Sequence, residues 1–447
     1  MQFSFQGIKK NGRTYLLVKN ILASFLIKGW TTIVMLLMVP LTLQCLGIYK
    51  NGVWLTINSL LLWIDQMDIG LGNGLRNKLA VCIAHNDKLK AKQVVSSTAA
   101  MLLVIVIPIM IILNVLVWYT DVYSFLNVSK SILPDLRVAV SSGGTLVCMT
   151  FILKFIGNVY MGLQLPAFSN FFIAAGQTLA LLLTWILYVT DNATFLNVVV
   201  VNTLSPLIIY LLAYPYTFFV RFPCLRPSHR SVERKIVYEM GNVGIKFFWI
   251  QLASILQFMT SNILISKFFS PELVTPYQIS YRYMSLVVMV FSVVCMPFWN
   301  ATTDAYERRD IEWIKKAGHR MNQMVMLAGL AIVFMIIVSP MVYHIWIGKS
   351  CVIGYEMTAM MGLYVFLLIA STRYSFFLNG IGVLRLQLYM TVSAVIFIPV
   401  AWAISYLTHN IIYFMAIMCV CNIPGLVSNI IQFNKIINGK AVGIWGK

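Results

Sequence analysis

The sequence predicts an all-α membrane protein of twelve transmembrane helices arranged in two pseudo-symmetric six-helix lobes. Three observations carry that prediction. Twelve apolar runs occupy nearly all of the 447 residues, each close to the ~20 residues needed to cross a hydrocarbon core. The chain is 60% hydrophobic and 11% charged, which no ordinary soluble domain matches. The short gaps between runs alternate between basic and nearly neutral.

The first six runs cover 20–46, 52–73, 94–118, 137–160, 168–190 and 194–219. The first contains Lys28 and the Val39-Pro40 step; the second carries Asp65 and Asp68 at i and i+3, on one helical face. Asp87 and a lysine-rich stretch lead into the third, which holds Pro108 and ends at Trp118; the fourth contains Lys154. A polar stretch at 220–242, rich in arginine and proline, follows the sixth run and reads as a basic linker between lobes 1–219 and 243–447. The second six runs cover 243–267, 277–303, 323–347, 356–380, 386–408 and 410–433. Asp310 leads into the ninth as Asp87 leads into the third, Pro340 and Trp346 echo Pro108 and Trp118, and Tyr160–Leu163 is echoed by Asn379–Gly382. These separations of about half the chain predict a duplication. An even number of spans per half puts the symmetry axis along the membrane normal, with a cleft between lobes.

Charge placement gives the topology. Of 33 Lys and Arg, 24 fall in the two tails and the even-numbered loops, beside seven acids; five fall on the other side, beside five acids. Basic loops stay in the cytoplasm, so both termini are expected there, and the net charge of +19 speaks of anionic membrane lipids as partners. Nucleic acid is not an expected partner, because the basic residues are not interleaved with exposed aromatic platforms. No cleavable signal peptide is expected. The eight cysteines are scattered, and Cys419-Val-Cys421 lacks a second pair, so neither zinc nor a disulfide framework is expected. The sequons at Asn127 and Asn192 are short-pattern coincidences unless the host glycosylates. Gly70–Gly74 looks like a phosphate loop but follows a membrane helix, not a strand. No outer loop reaches 25 residues, which argues against an enzyme with a folded domain on that side and for a transporter.

Charges at mid-depth cost ~2.5–3.5 kcal/mol each on insertion scales and ask for a reason. Lys28, Lys154, Arg282 and Arg373 are candidate cavity cations for a diphosphate, which a guanidinium can grip in a bidentate way. Each has a plainer alternative: Lys154, Arg282 and Arg373 could snorkel to an interface. Asp65 and Asp68 are candidates for ion coupling or for counter-charge to Lys28. Gln251, Gln257, Asn262, Tyr281 and Asn300 are candidate sugar contacts, with helix–helix hydrogen bonding as the alternative. No cofactor and no metal are expected; Na+ or H+ are the candidate coupling ions.

Several segments resemble Wzx-type polysaccharide flippases of the multidrug/oligosaccharidyl-lipid/polysaccharide (MOP) superfamily. They are Lys19–Ser24, Val39-Pro40, Leu46-Gly47 with Tyr49–Trp54, Asp68–Lys78, and Met296–Asn300 before Asp304. The resemblance implies a V-shaped pair of six-helix lobes and alternating access to a central cationic cavity, with cavity cations and coupling acids at the positions named above. It implies an undecaprenyl-diphosphate-linked glycan as substrate, moved across a bacterial inner membrane for surface polysaccharide assembly. A polysaccharide polymerase and a chain-length regulator are the further partners it suggests. The rivals are a cation-coupled exporter of small molecules, as in the multidrug branch, and a membrane sugar polymerase or acyltransferase.

Overall fold

Helices account for almost every residue of the computed structural model, which describes residues 10–66, 71–239, 260–383, 385–390 and 392–446. No strand occurs among the described residues. Their packing divides the chain into two units, Met1–Gln251 and Leu252–Lys447. Among the described residues, eight helices are long and apolar enough to cross a membrane, and the chain is a multi-pass membrane protein.

In the first unit, α1 (Lys10–Gln66) holds the first two predicted spans. Gly47 separates them with φ 69° and ψ 174°, a conformation open essentially to glycine alone. Next comes α2 (Leu71–Ala84), whose first turn contains Gly72 and Gly74 of the glycine-rich run. Leu71, Leu75 and Leu79 lie at helical spacing and are buried. A Cβ on Gly162 would meet Leu79 Cδ2 at 3.0 Å and the Arg76 carbonyl oxygen at 3.1 Å, so that glycine permits close approach of α2 to the chain after the fourth span. The third span is α3 (Lys88–Tyr119), and a short α4 (Val122–Leu126) follows, ended by Asn127 in the left-handed region. The fourth span is α5 (Leu136–Leu153) with α6 (Phe155–Gly162), broken at Lys154. The fifth and sixth are α7 (Pro166–Val189) and α8 (Phe195–Pro215). Gly176 lets these two touch, since a Cβ there would lie 3.1 Å from Pro206 Cα. Thr194 of the second sequon caps α8 by accepting from Asn197 N at 3.2 Å.

The segment after α8 is folded onto the first unit. A π-helical turn, Tyr216–Arg221, delivers Arg221 onto the Phe168 ring at 4.0 Å and the Tyr160 ring at 5.4 Å. Tyr160 is fully buried and meets Phe168, Phe172 and Phe222 at 5.1, 5.4 and 5.8 Å. Beyond it, the Ser228 and Glu233 backbone N–H groups donate to Ser96 Oγ and Ser97 Oγ of α3, each at 3.0 Å. Lys78 Nζ donates to Glu239 Oε2 at 2.5 Å, and the lysine holds that carboxyl below its ordinary range. Phe222, Leu225 and Ile236 join the unit's core. Thus residues 220–239 of the basic linker form a strap docked on the first unit.

In the second unit, residues 260–268 form α9, the end of the seventh span. The eighth and ninth are α10 (Pro271–Glu307) and α11 (Ile311–Ile347), and the tenth is α12 (Tyr355–Ile381). The eleventh contains α13 (Arg385–Met390) and α14 (Val392–Thr408), and the twelfth is α15 (Ile411–Ile437). A turn at Gly443–Trp445 closes on α13 and α15.

Helix pairing repeats between units. The third span packs on the fourth, the fourth on the sixth and the fifth on the sixth; the ninth, tenth, eleventh and twelfth pair in the same way. One turn repeats atom for atom at a separation of 223 residues. Asp87 accepts from Lys90 N and Asp310 from Trp313 N, both at 2.9 Å. The preceding residues, Asn86 and Arg309, have φ of 56° and 60°. Their N–H groups reach the Ile83 and Tyr306 carbonyls, both at 3.0 Å. The ends of α6 and α12 repeat too, with left-handed Gln164 matching Gly382.

Candidate functional site

Candidate residues fall into separate places. Lys28 is exposed on the first arm of α1, beside an apolar groove that includes Leu26, Trp30, Phe171 and Leu182. Trp30 Nε1 ties that arm to α7 by donating to Thr178 Oγ1 at 3.0 Å. Lys154 is half-buried at the α5–α6 break. Asp65 is the penultimate residue of α1, but its side chain, like all of Asp68, Gln251 and Gln257, lies outside the described residues; so does the side chain of Asn300, which is helical within α10.

In the second unit, Asn262 of α9 is buried and accepts from Gln278 Nε2 of α10 at 2.7 Å. Gln278 precedes Tyr281 by three residues and Arg282 by four, placing all three on one face of α10. Arg282 lies 11 residues from the start of α10, about 17 Å along the axis. That is six residues deeper than the predicted run start at 277 implies, because Pro271 begins the helix earlier. Its neighbour Tyr283 is fixed to α11, with its hydroxyl donating to the Met335 carbonyl at 3.1 Å and its ring 5.3 Å from Tyr343. Tyr277 donates to Met418 Sδ at 3.4 Å and joins α10 to α15.

Arg373 of α12 is the buried cation, 7% exposed. Helix propensity carries α12 unbroken through it, eight residues before the end at Ile381. Lys154 stands eight residues before the end of α6, so the two bases occupy matching levels of matching spans. Arg373 Nη1 donates to Tyr374 Oη at 3.1 Å, and its guanidinium carbon lies 4.2 Å from that ring. Its Nε is buried without a hydrogen-bond partner, and no carboxylate among the described residues pairs with it. Elsewhere between α12 and α15, Asn429 Nδ2 donates to Ser371 Oγ at 3.2 Å and Ser375 Oγ at 3.4 Å, on a face of α12 turned away from Arg373. Gln432 Nε2 donates to the Trp445 carbonyl at 3.3 Å. The Asn379 Oδ1 and Gln432 Oε1 atoms are buried with no partner. Buried polar atoms are ordinarily satisfied, so these atoms are exceptions to that rule.

The sequence singles out Arg373 and Asn262 but not Gln278, Asn429 and Gln432. The signal for the last two is their i, i+3 spacing in an otherwise apolar run, which marks one polar helix face. No group of three or more metal-ligating side chains occurs among the described residues.

No protein-family model matches the sequence, and no curated protein sequence does. Solved structures do match. An inward-facing multidrug resistance MATE family transporter of the MOP superfamily superposes with a TM-score of 0.78 at 16% identity, over 92% of this chain and 95% of that one. An outward-facing MATE transporter of the same superfamily gives 0.61 at 17% identity, over 94% and 96%. A MOP superfamily transporter from Pyrococcus furiosus, described as having a binding pocket whose reverse polarity suggests a different function, gives 0.56 at 16% identity, over 93% and 97%. At these identities the likeness shows the fold, which this chain shares along almost its whole length.

Proposed function

We propose that this chain is a flippase that moves an undecaprenyl-diphosphate-linked oligosaccharide from the cytoplasmic to the outer leaflet of a bacterial inner membrane by alternating access. Both termini are then cytoplasmic, and an ion gradient drives the cycle, with Asp65 and Asp68 as its coupling groups. No bond is made or broken. The observation that carries the reading is Arg373: a buried guanidinium with an unpartnered Nε and no paired carboxylate among the described residues. A lone cation in an apolar bundle is costly, and an anion arriving during transport would relieve that cost. A diphosphate offers oxygens for the guanidinium fork.

Arg282, Lys154 and Lys28 are further cations of the same reading, and Asn262, Tyr281, Gln251, Gln257 and Asn300 are its sugar contacts. Deleting the gene is expected to trap undecaprenyl-diphosphate-linked sugar on the inner leaflet, measured by its resistance to an external glycosidase. Normal delivery in a strain without a backup flippase overturns the reading. The second reading is a cation-coupled exporter of small molecules, favoured by the MATE transporters that share the fold. It expects drug resistance on overexpression and no lipid-linked sugar phenotype.

A further inference from the structure

The repeated turn at the start of α3 and α11 aligns their first turns at a separation of 223 residues, and the aligned faces differ in one respect. Val94 and Val95 match Ala317 and Gly318, and all four are buried. Ser96 and Ser97 match His319 and Arg320. The serines are 2% and 0% exposed because the strap lies over them, its Ser228 and Glu233 N–H groups bonded to their hydroxyls. His319 and Arg320 are exposed. With Lys315, Lys316 and Gln323 they line an open groove of about 480 Å³. The segment after α15, which corresponds to the strap, does not cover them: its Trp445 instead accepts from Gln432 and lies under Lys435 Nζ at 4.0 Å.

The groove leads onto an apolar face. Lys316, Arg320, Gln323, Leu327, Leu330, Phe334, Ile337, Met341 and Ile345 follow one another at three- and four-residue steps along α11. From Leu327 onward these side chains are between 64% and 72% exposed. A single helix face thus offers cationic groups at one end and uncovered hydrocarbon-facing surface along the rest. Glu312 faces the cluster, paired with Lys316 at 2.9 Å; counting Lys315, Lys316 and Arg320 against it leaves a net of +2 from these four side chains.

We infer that the α11 groove is a binding site for an anionic phospholipid of the leaflet at that end, with the headgroup on Lys315, Lys316, His319 and Arg320 and an acyl chain along Leu327–Ile337, about 15 Å or one leaflet's depth. In the first unit the strap fills the matching place with polypeptide; in the second, lipid fills it. Purified full-length protein titrated in detergent with phosphatidylglycerol, with bound lipid counted by native mass spectrometry, tests this. A Lys315→Gln/Lys316→Gln/Arg320→Gln variant is expected to lose about fivefold in affinity per charge, about a hundredfold in all. The charge-matched Lys88→Gln/Lys90→Gln/Lys92→Gln variant, altered on α3 beside the strap-covered face, is expected to bind as wild type does. Equal loss in both variants would mean diffuse basic charge and overturn the site, as would no loss in either, or equal binding of phosphatidylcholine. If the α11 variant fails to insert, the wild-type protein decides alone: raised salt must release its phosphatidylglycerol, and retention at high salt, or a polypeptide bound in its place, overturns the inference.

Discussion

Replacing Arg373 by glutamine separates a working cation from a structural one, because the two roles predict different signs. The side chain is 7% exposed and makes one hydrogen bond, Nη1 to Tyr374 Oη at 3.1 Å, plus the ring contact at 4.2 Å. Losing a charged hydrogen bond costs ~1.5–3 kcal/mol and losing a cation–π contact ~0.5–2 kcal/mol. Removing a cation from the interior of a membrane bundle returns ~2.5–3.5 kcal/mol. The terms nearly cancel, so Arg373→Gln is expected to leave stability within about 2 kcal/mol of wild type. Transport is different. If Nε and Nη2 reach a phosphate in the loaded state, losing charged hydrogen bonds worth ~3 kcal/mol reduces affinity about 150-fold. Arg373→Lys, which keeps the charge but lacks the planar fork, should fall between. The assay is flipping of a short-chain polyprenyl-diphosphate saccharide in proteoliposomes, read beside the thermal midpoint in the same detergent. Transport within about twofold of wild type, or a transport loss that follows a large fall in midpoint across Arg373→Gln and Arg373→Lys, would show Arg373 to be structural.

Three further outcomes are expected. Gly47→Ala forces a side chain into φ 69°, ψ 174° and should lower stability by ~1–3 kcal/mol, measured as a fall in thermal midpoint; an unchanged midpoint would mean the turn relaxes. Asp87→Ala and Asp310→Ala each remove an N-cap bonded at 2.9 Å, so each should cost ~0.5–2 kcal/mol, and the double variant should show their sum because the caps share no partner. The Glu239 carboxyl is held below its ordinary pKa, first by the hydrogen bond from Lys78 and then by that lysine's charge. A carboxylate of depressed pKa stabilises above its unfolded value, ~4.3, and the contribution is lost as pH falls through the lower folded value. Protection of the 225–239 amides, relative to intrinsic exchange at the same pH, should therefore fall at acid pH, and Glu239→Gln should show the lowered protection already at pH 7; protection indifferent to both would remove the ion pair from the account.

Much of the architecture was legible in the chain because hydrocarbon allows few solutions. A bilayer leaves no partner for an unpaired backbone amide, so apolar runs of membrane length become helices whatever their detailed order. For the same reason the loop charges, the paired capping aspartates and the half-chain echoes could be read without coordinates. Local signals were harder to read where neighbours decided them. The 220–239 segment has the composition of a solvated linker, and only the hydroxyls of Ser96 and Ser97 and the aromatic nest under Arg221 make it a folded strap. The apolar run starting at 277 put Arg282 near a helix end, and an earlier start at Pro271 put it six residues further from that end.

What the sequence determined alone was the number and spacing of spans, the repeat, and which side chains carry charge into them, since each follows from patterns along a line. Whether a given base is buried, bonded or bare depends on residues far away in the chain, and only the tertiary structure decided that. Lys28 and Arg373 look alike as charges in apolar runs, yet one is exposed beside a groove and the other is buried with an unpartnered Nε. Periodicity fixes which direction a residue points on its own helix; the identity of the helix it then meets is a property of the packed bundle.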